Sequence, residues 1–279
     1  MALAIDEYGP RAIVLEMLQQ RMPQPDARPT VGVADYRNAS ECKPQVYDRV
    51  RTWADLRLLD PERDHPDLTE MGLNLFHMAR WTPHSLRDLR RAEAGEIPTV
   101  NSHHGAAVTV DRLAKCRRIE TAGMHVPSYD FGTAEEISLD PPVVVKPRDE
   151  FVSGGHEFAV VYAGDIDFPG ERFVQRYIAP KMSFKLFQVG EHSRSTRHPP
   201  RSGVDRSMRP LARETATTGK FERLLDAVAE LFDLTLFELD VVVHKSVYVI
   251  DVNPVVSLHG VGDAVEIYDE LLKRSVQTS

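Results

Sequence analysis

Cysteine is nearly absent: Cys42 and Cys116 stand far apart in 279 residues with no second ligand pattern beside either, which excludes a disulfide scaffold and a cysteine-rich zinc site. Net positive charge is also missing. At -8 the chain is no general nucleic-acid binder, because counterion release on a phosphate backbone needs a broadly basic surface. No apolar run approaches membrane-spanning length, and the first residues carry Asp6 and Glu7 without a long apolar core, so neither a spanning helix nor a secretory signal is expected. The expected compartment is cytoplasmic. No internal repeat is present. What remains, 42% apolar and 27% charged residues, is ordinary for a globular chain long enough for one large domain or two or three lobes.

Apolar residues at helical spacing run from Ala12 to Met22 and stop at Met22-Pro23-Gln24-Pro25. Thr30 to Ala34 reads as a short buried strand that opens a small α/β lobe, with Leu73 to His77 and Thr99 to Asn101 as its later strands. Thr82-Pro83 starts an amphipathic helix that Gly95 stops, and a second helix covers Val108 to Ala122. Strand-like runs follow at Pro142 to Lys146, His156 to Tyr162, Arg172 to Gln175 and Phe184 to Val189, and a helix from Phe221 to Phe232 comes next. Strands therefore cluster in two groups around helices, which predicts α+β lobes enclosing a cleft. Residues 1–28 form an N-terminal extension in this reading, 29–102 the α/β lobe, and 103–279 a larger region divided near residue 173. Gly190 to about Ala216 reads as one long irregular loop carrying Arg194, Arg197, Arg201, Arg206, Arg209 and Arg213, a local positive field inside an acidic protein.

The most informative segment lies near the C-terminus. Asp240-Val-Val-Val-His244 and Val247-Tyr-Val-Ile-Asp251 are β-branched apolar runs separated by Lys245-Ser246, the pattern of a hairpin. Pairing about that turn sets Asp240 opposite Asp251, and Asn253 shares a strand side with Asp251. Two carboxylates and an amide oxygen are hard ligands suited to Mg2+, although an ordinary hairpin with acidic ends shows the same letters. Upstream, Lys146 ends an apolar strand just before Pro147, so its ammonium emerges where regular structure stops and can neutralise phosphates. The loop from Asp149 to Gly155 ends in Ser153-Gly154-Gly155, whose backbone N–H groups can approach phosphate closely.

Taken in order, Pro98-Thr-Val-Asn101, Val143-Val-Val-Lys-Pro147, Phe173-Val-Gln175, Lys185-Leu-Phe-Gln-Val-Gly190 and Val249-Ile-Asp-Val-Asn253 resemble the ATP-grasp superfamily, over about Pro98 to Gly260. The resemblance implies an α+β ATP-grasp fold, a small N-terminal α/β lobe followed by two α+β lobes clamping ATP. It implies Mg2+ on Asp240, Asp251 and Asn253, ATP phosphates on Arg112, Lys146 and Lys185, and adenine beside Gln175, Arg176, Tyr177 and Ile178. Two branches are similar. RimK-like carboxylate-amine ligases carry a lysine where this chain has Asp111-Arg112, and a Gly-x-Gly-Val run where it has Gly154-Gly155-His156-Glu157. Inositol polyphosphate 5/6-kinases carry an arginine at the first place, a His-Glu pair ten residues after the lysine, and a Lys-x-x-x-Val-Gly-Glu run like Lys185 to Glu191. The kinase pattern is the nearer of the two. It implies His156 and Lys185 as catalytic groups, and a small anionic acceptor held by His156, Arg197, Arg201, Asn253 and Ser257.

Overall fold

The computed structural model describes residues 28–36, 42–152, 158–179, 182–198 and 213–277. The expected helix from Ala12 to Met22, the glycine loop with His156, and Arg201, Arg206 and Arg209 lie outside these residues.

The first lobe is built on three parallel strands, β1 (Thr30–Ala34), β2 (Asp55–Leu59) and β3 (Leu75–Met78), in the order β2-β1-β3. Val31, Val33 and Ala34 are fully buried, as a central parallel strand covered on both faces requires. A parallel pair needs a crossover, and helix α1 (Lys43–Trp53) supplies the one from β1 to β2. Helix α2 (Pro83–Ala94) begins where expected: Thr82 Oγ1 accepts from the Ser85 N–H at 3.1 Å, and Pro83 fills the first turn. Thr99 to Asn101, by contrast, is not a strand. Thr99 makes one parallel bridge to Phe76, and buried Asn101 turns its amide inward instead. Its Nδ2 donates to the carbonyls of Leu236 at 2.6 Å and Pro254 at 2.9 Å, while its Oδ1 accepts from the N–H groups of Thr235 and Leu236.

The single helix expected from Val108 to Ala122 is two, α3 (His103–Val108) and α4 (Arg112–Thr121). Asp111 divides them because its carboxylate accepts from the N–H groups of Leu113 and Ala114, an N-cap that restarts the helix. A second sheet follows, antiparallel, with β4 (Tyr129–Gly132), β5 (Val143–Lys146), β6 (Ala159–Val161) and β7 (Arg172–Arg176) in the order β4-β7-β5-β6.

The third sheet holds β8 (Met182–Val189), β9 (His192–His198), β10 (Arg213–Thr215), β11 (Leu236–Val243) and β12 (Val247–Asn253), in the order β10-β9-β8-β11-β12. Strands β9 and β10 correct the reading of Gly190 to Ala216 as wholly irregular. Their polar sequence hides them: Ser195 and Thr196 are buried, yet no apolar alternation marks the strand. Helix α5 (Gly219–Phe232) lays Phe221, Leu225, Val228 and Phe232 on Leu239, Val241, Val249 and Val252 of the sheet. Helix α6 (Ala264–Gln277) returns to the first lobe, where Tyr268 and Leu272 join Val46 and Val50 of α1 in one core, and Trp53 Nε1 donates to Asp269 Oδ1 at 2.8 Å. No described helix is long and apolar enough to cross a membrane.

Candidate functional site

One face of β11 and β12 is apolar and packs on α5; the other carries Glu238, Asp240, Asp251 and Asn253. Asp240 lies opposite Asp251 and Glu238 opposite Asn253. The route to that register differs from the sequence reading. The turn is His244-Lys245-Ser246, so Val243 pairs with Val247 and Val241 with Val249, one residue out of step with Asp240 and Asp251. A bulge at Ile250 absorbs the difference. It lets Val249 and Val252, three residues apart, both enter the core, and leaves Asp251 and Asn253 on the opposite face.

Lys185 of β8 is the register partner of Asp240 and donates to Glu238 Oε1 at 2.7 Å, with Asp240 Oδ1 at 2.8 Å. Burial alone would lower its pKa, but Asp240 and Glu238 outweigh it and hold the ammonium above its ordinary range. The other Glu238 oxygen accepts from both the N–H and the Oγ of Ser257, each at 2.9 Å. Ser257, reached as an acceptor contact by resemblance, therefore stands beside the lysine through a shared carboxylate.

A second ion cluster lies on α4. Arg112 is 4% exposed, and its guanidinium pairs with Glu150 and donates to the Pro147 carbonyl at 2.6 Å. One turn on, Lys115 is 2% exposed and donates to Glu150 Oε1 at 2.7 Å, to Asp251 Oδ1 and to the Val252 carbonyl at 3.3 Å. Burial would raise the Asp251 carboxyl, but the Lys115 ammonium, with Lys146 behind it, holds it below the carboxylate range. Glu150 is pushed up, by burial first and then by Asp251. Neither Lys115, Glu150 nor Glu238 was anticipated. The only sequence signal is the spacing of Arg112 and Lys115 on one helix face.

Lys146, at the end of β5, reaches Gln175 Oε1 of β7 at 3.3 Å. Burial lowers its pKa, and the Arg112 and Lys115 charges add to this against the opposing pull of the Asp251 and Glu150 carboxylates. Gln175 is 2% exposed and its Nε2 has no hydrogen-bond partner among the described residues. Half-buried Arg176, Tyr177 and Ile178 continue from it; the Tyr177 ring meets Tyr162 edge-on at 5.7 Å, and the Ala179 carbonyl lies 3.3 Å from His244 Nδ1 at the hairpin tip. Phe151, just past Glu150, meets Trp81 of the first lobe at 5.2 Å.

The structure thus gathers Lys146, Gln175, Lys185, Asp240, Asp251 and Asn253 into linked clusters. Arg197 is apart: it is exposed on β9, in register with Phe184 and Arg213. Arg194 spends its guanidinium on Asp263, with Nε to Oδ1 at 3.0 Å. His156 and Arg201 lie outside the described residues. Among the described residues no three His, Cys, Asp or Glu side chains cluster as a metal cage. The donor set nonetheless fits Mg2+, which takes one or two carboxylates and completes its shell with phosphate and water: Asp240 and Asp251 each keep a second oxygen to which no described residue donates, and Asn253 adds an amide oxygen.

No protein-family model matches the sequence, and no curated protein matches it. Solved structures do. A RimK domain protein of the ATP-grasp type from Sphaerobacter thermophilus superposes with a TM-score of 0.68 at 18% identity, over 88% of this chain and 99% of that one. D-alanine–D-alanine ligase from Bacillus anthracis gives 0.65 at 15% identity, over 90% and 97%, and its complex with ATP gives 0.66. N5-carboxyaminoimidazole synthetase from Staphylococcus aureus gives 0.66 at 12% identity, over 91% and 78%. With three sheets in this arrangement and 88–91% of the chain superposed on those structures, the protein has the ATP-grasp fold.

Proposed function

We propose that the protein is an ATP- and Mg2+-dependent carboxylate-amine ligase that works through an acyl-phosphate. The observation that carries the reading is the convergence of Lys146 and Lys185, from two different sheets, on the linked carboxylate face of Asp240, Asp251 and Asn253. Two features favour a ligase over the inositol phosphate kinase that the sequence resembles more. Two of the proteins whose solved structures it is similar to are named as a ligase and a synthetase, and a third as a RimK domain protein. Arg112, on which the kinase resemblance leaned, is buried and pairs with Glu150.

In this reading Gln175 Nε2 is a donor waiting for the nucleotide base, beside Tyr177 and Ile178. Asp240, Asp251 and Asn253 would hold a divalent ion, whose chemistry would be to draw charge from the nucleotide phosphates. Lys146 and Lys185 neutralise the transferring phosphoryl group. The acid's carboxylate oxygen bonds to the γ-phosphorus as the bond to the bridging oxygen breaks, and that electron pair leaves with ADP. An amine then bonds to the acyl carbon, phosphate leaves with the C–O electron pair, and the amine loses a proton. Ser257, held on Glu238, borders the acceptor.

Product analysis tests this. Incubation with Mg-ATP and panels of carboxylic acids and amines is expected to release ADP and free phosphate only when an acid and an amine (or hydroxylamine as a trap) are both present. ADP with a phosphorylated inositol, and no free phosphate, would replace the ligase by a kinase.

A further inference from the structure

The buried ammonium of Lys115 has no part in the sequence reading, yet it touches a carboxylate assigned to the metal. All three of its N–H groups are committed, to Glu150, to Asp251 Oδ1 and to the Val252 carbonyl. The Asp251 Oδ1 atom is committed as well, since the Val252 N–H also donates to it at 2.9 Å. Swinging Lys115 away would strand Glu150, which is 7% exposed, with Arg112 as its remaining partner. A carboxylate that bridges two divalent ions about 3.5–4 Å apart with one oxygen on each needs both oxygens open. Asp251 has only its second oxygen to give.

We propose that Lys115 is a built-in cation of the phosphate site, occupying one edge of Asp251 so that the hairpin takes a single divalent ion with the nucleotide rather than a bridged pair. Lys115 is then a positioning residue. It holds Asp251 by one oxygen and leaves the other open, and it supplies from the protein a charge that a second ion would otherwise bring. Lys185 does not do the same for Asp240, because that pair is partly open: the two side chains are 23% and 39% exposed, so solvent or an incoming ion can compete for the carboxylate.

The inference rests on the proposed nucleotide and metal site, so its test separates the two. Full-length protein saturated with a non-hydrolysable ATP analogue is titrated with Mn2+, and bound ion is counted by electron paramagnetic resonance, with nucleotide binding followed independently by a fluorescent ATP analogue. One Mn2+ per chain is expected in the wild type, and two in Lys115→Met/Glu150→Gln, which frees Asp251 without stranding a buried carboxylate. Two ions in the wild type overturn the inference while leaving the ligase reading intact; one ion in the folded double variant also overturns it. Failure to bind nucleotide removes both readings. If the double variant does not fold, the wild-type count alone decides.

Discussion

Lys115 and Lys185 each stand between two carboxylates, one of which is a candidate metal ligand, yet they are different devices. Lys115 rises from a helix, is nearly inaccessible and links Asp251 to Glu150; Lys185 lies on a strand, is partly exposed and links Asp240 to Glu238. Burial decides what each can do. A charge inside protein cannot lose its partner cheaply, so the Lys115 pair is fixed, whereas water and ligands compete at Lys185. The same residue types therefore yield a scaffold at one end of the face and an adjustable contact at the other.

The strongest way to break this contrast is to remove each ammonium in turn. Lys115→Met is expected to destabilise the fold by about 3–5 kcal/mol, because Glu150 and Asp251 lose a buried partner. Lys185→Met should cost about 1–2 kcal/mol. Urea denaturation of both checks it, and equal losses would erase the distinction. Turnover should sharpen it in the opposite sense: Lys185→Met is expected to lower the rate about 100-fold or more with ATP still binding, as loss of a transition-state donor does.

Next in size is the pH dependence. The Asp251 carboxyl is held below its ordinary 3.8, so below that value the unfolded chain takes up a proton that the folded chain does not. Its contribution is fully present above 3.8 and is lost as pH falls through the depressed folded value. Lys115, held above 10.5, contributes fully below that pH and loses its contribution as pH rises through the raised folded value. Stability profiles of wild type and Lys115→Met should therefore converge at both extremes and differ most between them; a constant gap would contradict the pairing. The smallest effect is expected at Arg197→Ala. Exposed on β9, it should change stability by less than about 0.5 kcal/mol, and an unaltered KM would remove it from the acceptor contacts.

The carboxylate face was legible because a hairpin is local: the β-branched runs and their acidic ends lie within a few residues of each other. The face nonetheless came right by way of two differences, a longer turn and the bulge at Ile250, that cancel. Lys115 was not legible, since in sequence it is one basic residue on a polar helix. Its partners Glu150 and Asp251 lie 35 and 136 residues away, and only the folded chain brings them together. Helix α1 and strand β9 escaped for a related reason, since each shows a few buried positions amid polar residues and carries little periodic signal of its own. The division of Val108 to Ala122 was, in hindsight, written in Asp111, an N-cap residue inside an expected helix.

Asn101 carries a mechanical consequence. Its side chain makes four backbone hydrogen bonds across the boundary between the first lobe and the third sheet, at the start of β11 and just after β12. With α6 packed on α1, those two bodies are latched and should swing as one base. The four-stranded sheet, carrying Lys146 and Gln175, is left as the lid of the proposed nucleotide site. Fluorophore pairs should then report a changing distance from the lid to either part of the base on nucleotide binding, and a constant one within it; movement across the Asn101 latch would show that the base is jointed.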